Sequence, residues 1–262
     1  MANDGQRAFW SRRNMGAVWP QMEQVSDHGT APLLEAAALQ PGERVVDVGC
    51  GGGRQTLAVA QAVGSDGHVL GLDISPQMIE LAQARVSEAG AANASFRVAD
   101  VQTEPFEPGS FDLAVSQFGC MFFDEPERAF ANLCSALVPG GRIAFMAWQA
   151  AERMTWMPNR LLAPLMPESE SPINPHALAE ADYVQALFSA AGFTDITSTE
   201  LDVEAQLGDT FIQDAFTVDL VLEEHKSEAR ALVEQHKAQF RHGDGYRVVL
   251  PMLVIQATKP AS

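Results

Sequence analysis

Between residues 44 and 148 short apolar runs alternate with longer stretches that are apolar on one side only. Arg44–Val48 is apolar and β-branched, which predicts a strand. Arg54–Val63 places Leu57, Ala58 and Ala62 on one helical face, and His68–Ile74 predicts the next strand. Ser75-Pro76 opens a second helix, with Met78, Leu81, Ala82, Arg85 and Val86 at helical spacing and Gly90 as its stop. Ser95–Ala99, Phe111–Ser116 and Arg142–Trp148 predict three further strands. Asp124-Glu-Pro-Glu127 predicts a helix start with Asp124 as N-cap, and Pro139-Gly140-Gly141 a turn. Strands alternating with helices in this way predict an α/β fold with a doubly wound parallel sheet.

The flanks break that rhythm. Residues 1–40 predict a helical or irregular lead-in, in which Thr30 caps a short helix that ends before Pro41-Gly42. Residues 149–175 interleave Pro158, Pro164, Pro167, Pro172 and Pro175 with Met154, Trp156, Met157, Leu161, Leu162 and Met166. A segment both proline-rich and apolar is expected to pack as a cover. Beyond it the pattern predicts a helix over Ala177–Ala191, strands over Thr194–Val203 and Val248–Ala257, and two helices within Asp209–Phe240. The expected organisation is a lead-in at 1–40, a core at 41–148, a cap insert at 149–175, and the rest of the core at 176–262 with a helical insertion at about 205–245.

Composition narrows the function classes. Of 262 residues, 47% are hydrophobic and 19% charged, enough for a sizeable core. No run of eighteen apolar residues occurs, so no membrane span is expected. Met1 to Arg13 lacks the apolar stretch of a secretory signal. Cys50, Cys120 and Cys134 are odd in number and far apart, which predicts a reduced, cytoplasmic protein with neither disulfides nor a metal site. The net charge of -17 would repel a polyanion, and Arg7, Arg12 and Arg13 read as a solvated arm. No nucleic acid partner is expected. Oligomeric state is not legible.

The candidate chemistry lies in Val45-Val-Asp-Val-Gly-Cys-Gly-Gly-Gly53, which follows a strand and precedes a helix. Glycines there let the backbone turn sharply and approach a ligand. The loop opens at the carboxyl ends of the strands, where α/β sheets bind ligands. Asp73 ends the next strand, placed to hold both hydroxyls of a ribose, and Asp100 ends the third, placed to read an adenine edge. The order Gly49-Cys50-Gly51-Gly52-Gly53 lacks dinucleotide spacing, and Asp47 beside it would repel a phosphate. An acid there suits a ligand with a cationic amine and sulfonium.

These segments match a family. Asp47-Val-Gly-Cys-Gly-Gly-Gly53, Leu72-Asp-Ile-Ser-Pro-Gln-Met78, Ala99-Asp-Val101, Phe111-Asp-Leu-Ala-Val-Ser116 and Leu137-Val-Pro-Gly-Gly-Arg142 resemble the successive motifs of class I S-adenosylmethionine (SAM)-dependent methyltransferases. The resemblance is closest to the quinone-biosynthesis (UbiE-like) branch. Phe118-Gly-Cys-Met-Phe-Phe-Asp124, Ala129-Phe-Ala-Asn-Leu133 and the Trp148 to Met157 stretch resemble a bacterial subgroup within it. The resemblance implies a seven-stranded Rossmann-like sheet with its last strand antiparallel and a small helical cap. It implies that Gly49, Gly51 and Gly53 shape the loop around the methionine part of SAM, with Asp47 near its amine. Asp73 would hold the ribose, Ile74 and Met78 would wall the adenine, Asp100 and the Val101 backbone would read its edge, and Ser116 would lie beside the methionine moiety.

Methyl transfer is an in-line displacement that needs positioning more than a covalent nucleophile, so the lack of a triad is no objection. Candidates for the acceptor side, a small molecule, are Trp19, His28, Gln117, Met121, Trp148 and Trp156, each of which also has a plain packing or surface reading. Two other function classes compete. One is a SAM-binding regulatory or partner subunit without turnover. The other is a nicotinamide-dependent reductase, which neither the loop spacing nor Tyr183 and Tyr246 supports, since neither tyrosine has a lysine four residues on.

Overall fold

A computed structural model describes residues 3–11, 15–166, 174–208 and 221–261. Five strands run parallel on one side of the sheet: β1 (Arg44–Val48), β2 (His68–Asp73), β3 (Ala94–Val98), β4 (Phe111–Gln117) and β5 (Leu137–Trp148). The long β6 (Thr194–Leu207), the two-residue β7 (Arg241–His242) and β8 (Gly245–Thr258) complete the sheet. The strand order is β3-β2-β1-β4-β5-β8-β6, with β7 paired to β8. β8 lies antiparallel to both β5 and β6. The seven strands of the main path and the antiparallel last strand agree with the sequence-based expectation.

Helices among the described residues include α1 (Asp4–Trp10), α2 (Met15–Ala37), α3 (Arg54–Val63), α4 (Pro76–Ala89), α5 (Pro126–Ala136), the one-turn α6 (Asn159–Leu162) and α7 (Ala181–Ala190). Side chains alternate across the pleat, so each strand feeds two cores. Val45, Val69, Leu113, Val115 and Met146 pack against Val25 and Leu33 of α2 and Val59 and Val63 of α3. Val46, Val48, Leu72, Ala114 and Phe145 pack instead against Phe130 and Leu133 of α5 and Val184 and Phe188 of α7. The buried runs on β1 and β4 follow from this two-sided cover.

Several local expectations are corrected. Thr30 does not cap a helix. It lies inside α2, which runs unbroken over 23 residues with Pro20 and Pro32 within it. Packing on the sheet outweighs the missing proline donors, and the Thr30 hydroxyl donates instead to Gln117 Oε1 at 3.1 Å. At the start of α5 the N-cap is Glu125, and no side chain caps the helix. The Asp124 carboxylate is taken by the Asn3 backbone N–H at 2.8 Å. α7 starts at Ala181 rather than Ala177, after a turn.

In the insertion expected at about 205–245, residues 205–207 extend β6, and the described part carries one helix of length, α8 (Lys226–Lys237). Residues 209–220, where a second helix was expected, lie outside the described residues, as do Arg12, Arg13 and 167–173 of the proline-rich segment. The described part of that segment packs on α8: Leu162 and Leu165 form a small core with Val221, Ala229 and Val233. Among the described residues no helix is long and apolar enough to cross a membrane. Likewise, no three His, Cys, Asp or Glu side chains gather in a way that could hold a metal ion.

Candidate active site

A cavity of about 270 Å³ opens at the carboxyl ends of the parallel strands, where the chain order reverses between β1 and β4. Such a switch point is the expected ligand crevice of a doubly wound sheet, and the volume is near the lower end of small-molecule sites, roughly 300 Å³. The glycine loop forms its floor. Gly49 and Gly51 have φ of +68° and +52°, which only glycine adopts without strain. A β-carbon on Gly49 would lie 2.8 Å from Gly119 Cα, so the ends of β1 and β4 approach only because neither residue has a side chain.

Three of the acids that line the cavity stand at the ends of strands β1 to β3. Asp47 is 1% exposed and accepts from Gln55 Nε2 at 3.0 Å and Thr56 Oγ1 at 2.6 Å. Burial pushes its carboxyl up to about 7, against the hydrogen bond from Thr56. Asp73 accepts from the Gly51 N–H at 2.9 Å and the Ser75 N–H at 2.8 Å, and burial carries it up to about 6. Asp100 accepts from the Gln102 N–H at 3.0 Å, Gln102 Nε2 at 3.2 Å and Asn3 Nδ2 at 3.5 Å. The Gln55 side chain also lines the cavity, and its Oε1 is buried with no hydrogen-bond partner among the described residues. The buried Asp47 and the half-buried Asp73, both with raised pKa, stand beside this acceptor, and among the described residues no cation is paired with either.

The N-terminal helices roof this half. Trp19 lies on the glycine loop: a β-carbon on Gly52 would sit 2.6 Å from its Nε1. The indole N–H donates to Glu23 Oε1 at 2.9 Å. Glu23, 5% exposed, is held by Arg85 at 2.6 and 3.0 Å, and Arg85 also donates to Gly52 O at 2.5 Å. This link between α2, the loop and α4 was not visible in sequence, because Glu23 and Arg85 are 62 residues apart. Asn3, Gln6 and Trp10 of the first turns close the side near Met78 and Asp100.

The structure brings most of the sequence-predicted residues to this cavity. Asp47, Gly49, Asp73, Ile74, Met78, Asp100 and Val101 line it, as do Trp19, Gln117, Met121, Trp148 and Trp156. Gly51, Gly53, Ser116 and His28 do not. Gly51 supports the loop through its N–H to Asp73, and Gly53 begins α3 against Ala82. Ser116 is fully buried; its hydroxyl donates to Val48 O at 2.7 Å and accepts from the Cys120 N–H at 3.1 Å, which ties β4 to β1. His28, an acceptor-side candidate in the sequence, is not among the residues that line this cavity. Gln117 lines the cavity, but both ends of its amide are spent on α2, on Ser26 O and Thr30.

The other half is aromatic and thioether-rich. Phe118 and Trp148 stack with centroids 4.1 Å apart and planes at 11°. Met121 Sδ lies 3.4 Å from the Trp148 N–H, and Met154, Trp156, Met157, Pro175 and His176 continue the wall. Phe118 carries a φ of +61°, an unusual conformation for an aromatic residue and one that clusters at functional sites. His176 escaped sequence reasoning. It lies alone in a proline-rich stretch, and only the fold brings it to the cavity.

Fold and loop together define the class as the Rossmann-like methyltransferase fold. Residues 45–141 match the family model described as "Methyltransferase domain". The chain is 38% identical over 148 residues to aklanonic acid methyltransferase DauC of Streptomyces sp. (strain C5), a match covering 56% of this chain and 64% of that protein. It thus spans less than two thirds of that relative's length. Its fold is similar to that of the YcgJ protein from Bacillus subtilis, with a TM-score of 0.65, 18% identity and coverage of 90% of this chain and 100% of the other. It is also similar to phosphoethanolamine N-methyltransferase 2 of Haemonchus contortus in complex with phosphomonomethylethanolamine and S-adenosylhomocysteine. There the TM-score is 0.64 and the identity 18%, over 97% of this chain and 60% of the other.

Proposed function

We propose that this protein is a cytoplasmic SAM-dependent methyltransferase of the quinone-biosynthesis (UbiE-like) branch, acting on a small, partly hydrophobic acceptor. The observation that carries the reading is the pair Asp47, buried, and Asp73, half-buried, at the glycine loop, with pKa values pushed up to about 7 and about 6 and no cationic partner among the described residues. A cationic ligand is what such a site lacks. SAM, when bound, would supply an electrophilic methyl group on a sulfonium. Asp47 and Gln55 Oε1 would meet its ammonium end, Asp73 its ribose hydroxyls, and Ile74, Met78 and Asp100 its adenine. The Phe118–Trp148 stack and the Met154–Met157 wall favour a flat acceptor and exclude water from it. The net charge of -17 argues against a polyanionic acceptor.

The test has two arms. By titration calorimetry the wild type should bind SAM more tightly than NAD, and Asp73→Ala should weaken SAM binding by about 1–3 kcal/mol, the scale for removing a partner of buried polar groups. Methyl-labelled SAM should then label a product in a small-molecule extract and none in tRNA, plasmid DNA or protein fractions. Tighter binding of NAD, or salt-resistant label in a macromolecular fraction, would overturn the reading.

A further inference from the structure

We infer that His176 is the general base of the transfer and that the acceptor is a flat phenolic or enolic hydroxyl. This rests on the methyltransferase reading above and extends it to the acceptor atom.

The ring of His176 lies in the wall of the aromatic half of the cavity, among Trp148, Met154, Trp156, Met157 and Pro175. Its Nδ1 is 2.6 Å from the backbone carbonyl of Gln149. A carbonyl oxygen can only accept, so Nδ1 carries the proton, and in the neutral ring Nε2 is left as a bare lone pair. No hydrogen bond from the described residues reaches Nε2.

The carbonyl that fixes this tautomer is itself immobile. The Gln149 N–H donates to Pro251 O at 3.0 Å, and its side-chain amide donates to Met252 O at 2.9 Å and Leu201 O at 3.2 Å. The histidine is anchored from its own side too: its backbone N–H donates to Asn174 Oδ1 at 3.0 Å. A base oriented by a third group is the arrangement expected of an acid–base side chain. Burial lowers the ring's pKa and so favours its neutral form, while the Gln149 carbonyl and the charge of Glu152 oppose that shift. The other ionisable groups lining the cavity are Glu23, Asp27, Asp47, Cys50, Arg54, Asp73 and Asp100, which belong to the half built on α2, the glycine loop and the strand ends.

A sulfide or tertiary amine has no proton to lose and needs no such group. A hydroxyl does. In the proposed step an oxygen lone pair forms the new O–CH3 bond as the S–CH3 bond breaks and leaves its electron pair on sulfur. The O–H bond breaks and its proton passes to Nε2. The positive charge moves from sulfonium to imidazolium, and water later removes the proton. The apolar wall suits a flat ring that carries this hydroxyl.

The experiment uses the intact protein, methyl-labelled SAM and two probes, 2-naphthol and 1-hydroxyanthraquinone, beside the small-molecule extract. In wild type, kcat at saturating SAM should rise with pH through one ionisation below the ordinary histidine value of about 6.5 and level off above it. Saturation matters because the bound cation keeps Asp47 and Asp73 ionised. His176→Gln should lose that limb and about 100-fold or more in kcat, with KM and SAM affinity within about threefold. Added imidazole should restore part of the turnover of His176→Gly. Independently of turnover, nitrogen-15 NMR of the histidine rings should find His176 protonated on Nδ1 alone at pH 8. Wild-type kcat in His176→Gln, or a proton on Nε2 at pH 8, would overturn the base role and leave methyl transfer standing. Label in the extract with none on either phenol would overturn the acceptor class. No label anywhere would bring down the methyltransferase reading itself, and the base role with it.

Discussion

The Trp19 indole lies against Gly51, so that a β-carbon on Gly51 would overlap the indole and come within 2.6 Å of Cη2. The glycine loop is therefore shaped by α2 from above as well as by its own turn. Gly51→Ala should lower the urea midpoint and weaken SAM binding at least tenfold, from a φ of +52° that alanine adopts at a cost of roughly 1 kcal/mol and from the overlap. Adding Trp19→Ala should recover part of both losses. Strictly additive losses in calorimetry and urea unfolding would mean that the contact is not what requires glycine there.

Burial holds the Asp47 and Asp73 carboxyls at about 7 and about 6, above their unfolded value of about 3.9. Between those limits the free folded protein holds protons that the unfolded chain has released. Its stability from these two groups therefore falls as pH rises from about 4 to about 7. A cationic ligand reverses the preference. SAM affinity should climb from pH 5.5 to pH 8, and Asp47→Asn should flatten the upper part of the rise. Calorimetry across that window decides it, and a flat wild-type profile counts against a cation at this site.

Phe118 combines a positive φ with the stack on Trp148. Phe118→Gly and Phe118→Ala both lose the stack, worth about 0.5–1.5 kcal/mol. Only the glycine variant relieves the backbone, so it should be the more stable of the two by about 1 kcal/mol. Equal urea midpoints would mean that the strain is not stored there.

Trp156 borders the cavity but is 2% exposed and belongs to the main core. Trp156→Ala should cost about 3–5 kcal/mol of stability, so its effect on turnover cannot be separated from folding. Trp156→Phe, a smaller change, is the variant in which acceptor KM can be read. An unaltered urea midpoint in Trp156→Ala would place the indole outside the core.

The alternation of strand and helix, the glycine loop and the strand-end acids were legible in the chain because they are local. Two-residue and 3.6-residue periods, turn glycines and an acid at the end of a strand each follow from neighbours a few positions apart. That sufficed for the fold class and for Asp47, Gly49, Asp73 and Asp100. It failed where distant segments compete. Thr30 reads as an N-cap from its neighbours, yet α2 runs through it because Val25, Leu33 and Ala37 bury against the sheet. His28 and His176 cannot be ranked from their surroundings in sequence. Only the return of residues 174–178 beside the end of β5 puts one of them in the wall and fixes its tautomer on the Gln149 carbonyl. The Trp19–Glu23–Arg85 clamp was hidden for the same reason. Local backbone chemistry writes the loop, whereas what covers it depends on contacts between residues tens of positions apart, which only the folded chain brings together.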